Sequence, residues 1–159
     1  MSDKPKILVV GEIERSEFAR ICDWLDQIGT AAIVQRSECL PEPNGVDVAT
    51  FENLLVNPDL IIVCQSWPDE FPATEVTMAL GRWPVALWVC CYGAWCASDG
   101  RTRSIWPISV RVPVDEAENR LHHVWRVLTE QRDEPLPLTA SRDEAFEFDH
   151  CLTRPVARP

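Results

Sequence analysis

The sequence predicts an α/β domain in which a parallel sheet is covered by helices on both faces. Short β-branched runs alternate along the chain with segments whose apolar residues recur at helical spacing. Strands buried on both faces of a parallel sheet have this continuous apolar character, since helices cover the two sides. The length of 159 residues fits one domain.

Five strands are expected, one for each short apolar run. Valine occurs in every run, and β-branched residues favour the pleated, buried surface of a sheet. The runs span residues 7–10, 31–34, 60–63, 85–89 and 109–112.

The first helix is predicted between the first two runs. Four apolar residues there recur at i, i+3, i+4 and i+7, which places them on one helical face: Phe18, Ile21, Cys22 and Leu25. Gly29 follows them and is a typical helix stop. A second, shorter helix is predicted after the turn-rich residues 41–45, and a third around residues 73–81. The second would place three apolar residues on one face: Val48, Phe51 and Leu55.

The last helix of the domain is predicted to begin near Asp115. Its apolar face carries Ala117, Leu121, Val124 and Leu128. The composition then becomes rich in proline and acids, so residues 1–131 are predicted to form the domain and residues 132–159 a linker, a short helix and a tail. The short helix is indicated by a capping box between Ser141 and Glu144.

Charge and cysteine content limit the partners and the compartment. The formal net charge is -10, with 25 acidic and 15 basic residues, which argues against general binding to nucleic acid or to an anionic membrane. No run reaches the roughly 18 apolar residues of a membrane span, and the amino-terminal residues do not resemble a signal peptide. A cytoplasmic protein is therefore expected. Most of its seven cysteines are expected to be reduced core residues.

Residues 57–63 read Asn-Pro-Asp-Leu-Ile-Ile-Val, and Trp67 and Pro68 follow shortly after. With the β-α alternation of residues 5–130, this resembles the receiver domains of response regulators. Their third strand typically reads Pro-Asp-Leu-Ile-Leu-Leu-Asp, and a Met-Pro pair follows it. The resemblance implies a flavodoxin-like fold, a three-layer α/β/α structure with strand order 2-1-3-4-5 and sites at the carboxyl ends of the strands.

The receiver phosphorylation site, however, is expected to be lost. Receivers hold Mg²⁺ between an acidic pair after the first strand and the aspartate that is phosphorylated at the end of the third. Gly11 and Glu12 stand at the acidic pair, so at most one acid is retained, and Cys64 aligns with the aspartate. Val89 aligns with the hydroxyl residue of the fourth strand and Val112 with the lysine near the fifth. A neutral thiol does not replace a carboxylate ligand of Mg²⁺, so the resemblance implies a degenerate receiver without phosphotransfer.

Two alternatives stay open. Cys64 could be a redox or nucleophilic thiol, because nearby helix amino termini can lower a thiol pKa. A structural zinc site could instead use the later cysteines and histidines, although their spacing matches no known finger: Cys90, Cys91, Cys96, His122, His123, His150 and Cys151. No GxGxxG or GxxxxGK[ST] loop occurs that would hold a nucleotide or flavin phosphate. Neither a metal nor a cofactor is expected.

Residues 92–106 are expected to carry the function, with the alternative that their tryptophans cover the exposed end of the core. They contain two glycines and no sustained helical period, so any helix there should be short or distorted. They also combine aromatic residues with arginine, which is the composition enriched at binding hot spots. The expected surface comprises Tyr92, Trp95, Arg101, Arg103 and Trp106. The predicted function is a non-catalytic pseudo-receiver that binds an unidentified protein partner in bacterial-type signalling or regulation, and a homodimer stays open.

Overall fold

The structure is a computed structural model that describes residues 3–40, 57–97, 105–130 and 134–150. Five parallel strands form one sheet in the order β2-β1-β3-β4-β5. Their bounds are β1 Lys6–Gly11, β2 Ile33–Ser37, β3 Leu60–Gln65, β4 Leu87–Tyr92 and β5 Arg111–Pro113. The predicted flavodoxin-like order 2-1-3-4-5 is therefore confirmed.

Five α-helices are described, and they are numbered here in chain order. Their bounds are α1 Ala19–Ile28, α2 Ala73–Arg82, α3 Ala94–Ala97, α4 Ala117–Glu130 and α5 Arg142–His150. Three short 3-10 turns adjoin them at Ser16–Phe18, Gly29–Ala31 and Val114–Glu116. No helix in the described part of the chain is both long and apolar enough to cross a membrane.

The sheet separates two hydrophobic cores, because successive strand residues point to opposite faces. Ile7 and Val9 of β1 belong to the first core, which is completed by buried residues of α1 and α4. Leu8 and Val10 belong to the second core, which includes buried residues of α2. Helices on both faces of the sheet give the three-layer architecture that the sequence predicts.

The predicted helices around residues 73–81 and from Asp115 onward are confirmed as α2 and α4, and the first as α1. The helix predicted at Val48, Phe51 and Leu55 lies outside the described residues. Among the described residues between β4 and β5, the α-helix present is the four-residue α3, in agreement with the expectation that any helix there is short.

Strands β2, β4 and β5 each begin two residues later than the predicted runs. The two residues before β4 illustrate the cause, because Val85 lies in a turn and is 92% exposed. At β5, the backbone N–H groups of Val110 and Arg111 both donate to the carbonyl of Pro107, which closes a turn before pairing begins. Apolar character alone does not reveal such turns, because the hydrogen bonds that form them involve backbone groups.

Helix α5 begins with the predicted capping box. The Ser141 N–H donates to Glu144 Oε2 over 3.0 Å, and the Glu144 N–H donates to Ser141 Oγ over 3.2 Å. The helix folds back onto α4, where Phe148 packs against His123 with ring centroids 5.3 Å apart. Segment 142–150 is therefore part of the folded body.

Candidate functional site

The carboxyl edge of the sheet carries four of the five residues expected in the receiver site. Gly11 pairs with Cys64, Cys64 with Cys91, and Cys91 with Val112 across neighbouring parallel strands. Glu12 follows Gly11 and is exposed. The register thus places Gly11, Cys64 and Val112 in one row across the sheet. Glu12 lies just beyond the β1 end of this row.

Val89 lies away from this row. It pairs with Ile62, two residues before the level of Cys64, and β4 continues to Tyr92. The β4 residue beside Cys64 is therefore Cys91, which is buried. The predicted run ended too early, and the row across the sheet has a second thiol where the alignment placed an aliphatic side chain.

Gly11 allows the close approach of β1 to β3. Its φ is +103°, a conformation that L side chains rarely adopt. A Cβ at this position would overlap the carbonyl oxygen of Cys64. The end of β1 is therefore filled by backbone, and no side chain from residue 11 reaches the row.

The surroundings of Cys64 disfavour its thiolate form. Its side chain is fully buried in the first core. Desolvation by burial raises its pKa far above the ordinary value, and the neighbouring Cys91, Cys22, Glu70 and Glu17 raise it further. The thiolate is the nucleophilic form, so a protonated and buried thiol is a poor nucleophile.

Three further cysteines in or beside the row are also buried: Cys90, Cys91 and Cys96. Burial raises the pKa of Cys90 and of Cys91. Cys90 and Cys96 each lie within sulfur hydrogen-bonding distance of Gln65, at 3.7 Å from its side-chain oxygen and 3.8 Å from its carbonyl oxygen. In the part of the chain that the structure describes, no group of three or more His, Cys, Asp or Glu residues could hold a metal ion.

Gln65 organises the chain that leaves β3. Its fully buried amide nitrogen donates to the carbonyl oxygens of Trp67 at 2.9 Å and Pro68 at 3.1 Å. Its amide oxygen accepts a hydrogen bond from the Trp106 indole over 2.9 Å, and its carbonyl oxygen accepts one from the Gly93 N–H over 3.0 Å. One side chain and its backbone therefore join the ends of β3 and β4 to the segment before β5.

An exposed tryptophan pair stands on this framework. The rings of Trp67 and Trp95 have centroids 6.5 Å apart, and their side chains are 45% and 68% exposed. The Arg15 guanidinium lies 4.9 Å from the Trp67 ring centroid, within cation-π distance. Arg15 also pairs with Glu12 over 2.5 Å. Two large aromatic surfaces are thus held at the edge of the sheet.

Three carboxylates lie on or beside the residues next to the tryptophan pair. Glu70 accepts hydrogen bonds from the N–H groups of Ser66 at 2.7 Å and Trp67 at 3.4 Å. The Glu17 carboxylate lies against the backbone of Gly93, at a point where a Cβ would overlap it. With Glu12, three carboxylates and one guanidinium contact the residues of this edge. We call Arg15, Trp67 and Trp95 with these three glutamates the tryptophan edge.

The residues of the expected interaction surface differ in their solvent exposure. Trp95 is exposed, whereas Tyr92 is partly buried and lines a cleft beside α5. The placement of Trp106 on a surface was wrong, because its ring is 2% exposed in the second core. Arg101 and Arg103 lie outside the described residues.

Sequence reasoning missed Trp67, Arg15 and Gln65 as members of this site. In the sequence, Trp67 contributes only to the Trp-Pro pair that follows the third strand. A large apolar residue just beyond the carboxyl end of a central strand is itself a signal, since parallel strands end at the edge where loops carry sites. The contact of Arg15 with Trp67 forms only in the tertiary structure, and no sequence pattern predicts it.

No family model matches this chain, and no curated protein or solved structure matches it significantly. The strand order and the parallel sheet identify the fold as a flavodoxin-like α/β domain.

Proposed function

We propose that this chain is a non-catalytic, receiver-like module that binds a protein partner in bacterial-type signalling or regulation. The observation that carries the proposal is the exposed Trp67–Trp95 pair beside a row of buried thiols. Exposed tryptophans on a rigid framework are typical anchors of protein interfaces. The resemblance to receivers supports the setting in signalling and nothing finer.

The chemistry of the tryptophan edge favours a partner segment that carries arginine. Trp67 already stacks with one guanidinium, that of Arg15, and the more exposed ring of Trp95 offers a second aromatic face. Among the described residues of this edge, Glu12, Glu17 and Glu70 outnumber Arg15, so their charge favours a basic segment. Because such attraction is screened by salt, binding should weaken as ionic strength rises.

The proposal is tested by affinity capture from cells of the source organism with matched variants. The bait carrying Trp67→Ala and Trp95→Ala should lose the partner that the wild-type bait captures. Phe146→Ala is the matched control, because Phe146 is an exposed aromatic residue, at 62%, on α5. Equal recovery by all three baits would overturn the assignment of this edge.

A second experiment separates this function from phosphotransfer and thiol chemistry. Incubation with a small phosphodonor and Mg²⁺ should leave the mass of the protein unchanged. Thiol labelling at neutral pH should modify the exposed Cys39 long before the buried Cys64. Stoichiometric phosphorylation, or fast labelling of Cys64, would instead support a catalytic role.

A further inference from the structure

A second site lies between the sheet edge and the C-terminal helix. A cleft of about 240 Å³ is lined on one side by residues from the end of β4 to the start of α4 and on the other by α5. At roughly 30 Å³ per water molecule, this volume suits a ligand of about eight heavy atoms. The cleft has a polar part and an apolar part.

The polar part is rich in guanidinium groups. Arg111, Arg120 and Arg142 line the cleft, opposed by the carboxylates of Glu116 and Asp149. Counting these five residues, the lining carries one excess positive charge, in a protein whose formal net charge is -10. A local excess of positive charge in an acidic protein favours an anion at this place.

The Arg120 guanidinium uses only some of its N–H groups in hydrogen bonds to described residues. Its side chain donates to both carboxylate oxygens of Asp149 and, over 2.5 Å, to the carbonyl oxygen of Ser109. A guanidinium has five N–H groups, so these three hydrogen bonds leave two. Arg120 is 2% exposed. Arg120 is thus a buried guanidinium in the cleft lining that keeps donor capacity beyond its pair with Asp149.

Arg142 occupies a position that helix stability does not explain. It is the first residue of α5, where the helix dipole disfavours a cation. It makes no ion pair with any residue that the structure describes, and its side chain lines the cleft. An anion in the cleft would give this exposed guanidinium a partner.

The apolar part selects among anions. Tyr92, Ile108 and Phe146 line the cleft together with the charged groups, so the ligand should carry an apolar body. The two carboxylates would repel a dianion such as phosphate, whereas one negative charge balances the excess. We propose that the cleft binds a small organic monocarboxylate with an aromatic or aliphatic body.

Binding would also hold the C-terminal helix in place. The cleft takes part of its lining from the domain and part from α5. A ligand that contacts both sides binds only the docked form and stabilises it by mass action. The site is independent of the tryptophan edge, so it stands whether or not the proposed partner binds there.

The test is a titration of the isotope-labelled full chain followed by NMR, with benzoate as the probe. Saturable shifts are expected at the Arg111, Ala145 and Phe146 amides, with a Kd of about 1 mM for a ligand of this size. Neutral benzamide should bind about tenfold more weakly, and inorganic phosphate should bind more weakly than benzoate. Arg142→Gln should weaken benzoate about fivefold, because it removes one charged donor.

Arg20→Gln is the matched control, since Arg20 is an exposed arginine near the start of α1. It should leave the benzoate Kd unchanged. The spectrum of each variant reports directly whether the fold is intact. The absence of saturable benzoate shifts, equal binding of benzamide, tighter binding of phosphate or an unchanged Kd in Arg142→Gln would each overturn the proposal.

Discussion

Arg120 and Asp149 form a bidentate ion pair whose side chains are 3% and 7% exposed, and this pair joins α5 to α4. Phe148 covers the same guanidinium, with its ring centroid 5.8 Å from the Arg120 Cζ atom. A buried pair of this kind is costly to break from one side, because the remaining charge stays desolvated. The pair is therefore a buried polar contact that holds the C-terminal helix on the domain.

Asp149→Asn should undock α5. Loss of the carboxylate leaves Arg120 buried without its counter-charge, and we expect the free energy of unfolding to fall by about 3 kcal/mol. The measurement is urea denaturation, combined with limited proteolysis of residues 134–141. Asp143→Asn, on the exposed side of α5, should cost less than about 1 kcal/mol. Equal stability of the two variants would contradict the role of the pair.

Gly11→Ala should be much more destabilising than Gly29→Ala. Both glycines have positive φ, at +103° and +48°, but only the Cβ at residue 11 meets a backbone atom, the carbonyl oxygen of Cys64. Gly29→Ala carries the conformational cost alone, about 1–2 kcal/mol. Gly11→Ala adds a steric overlap with β3 and should cost about 3 kcal/mol or more. Thermal and chemical unfolding of the two variants decide the order, which a comparable loss in both would refute.

The hydrogen bonds of Gln65 should be coupled to Trp106. Gln65→Met keeps the shape of the side chain but leaves the buried Trp106 indole N–H without its acceptor, at a cost of about 2 kcal/mol. In a Trp106→Phe background the orphaned donor is gone, so the same substitution should cost about 1 kcal/mol less. A double-mutant cycle in urea measures this difference. Strict additivity of the two substitutions would show that the contact does not contribute.

The buried thiols should make the protein less stable at alkaline pH. The folded-state pKa of Cys64 is raised by burial, so its contribution to stability is present below the unfolded pKa, about 8.5, and is lost as pH rises above it. Each such thiol should steepen the fall in the free energy of unfolding by about 1.4 kcal/mol per pH unit above about pH 9. Cys64→Ala should therefore show a shallower fall than the wild type between pH 8.5 and 10 when unfolding is measured in urea. Cys39→Ala, at an exposed site, should retain the wild-type slope; a wild-type slope in Cys64→Ala would disprove the assignment.

The fold was predictable because its signals are local. The apolar runs gave the strands, helical spacing gave α1 and α4, and the Ser141–Glu144 box gave the start of α5. The strand order came with the resemblance to receivers. Strand starts were misplaced by two residues, since turns such as the one at Val85 depend on backbone hydrogen bonds.

The site was less predictable because it depends on contacts between distant residues. Trp95 and Trp106 have the same side chain in one segment, yet one is exposed and the other buried against Gln65. The sequence distance between Gln65 and Trp106 is 41 residues, so composition could not tell the two tryptophans apart. Trp67 and Trp95 are likewise distant in the sequence, and their rings meet only in the folded structure.

Binding of the partner at the tryptophan edge is tested by calorimetric titration of the purified partner against wild type, Trp95→Ala and Phe146→Ala at two salt concentrations. Trp95→Ala should weaken binding about thirtyfold, as expected for an interface hot spot, and Phe146→Ala should stay within about twofold of wild type. Wild-type binding should be weaker at the higher salt concentration. Unchanged affinity in Trp95→Ala would show that the partner does not bind at this edge.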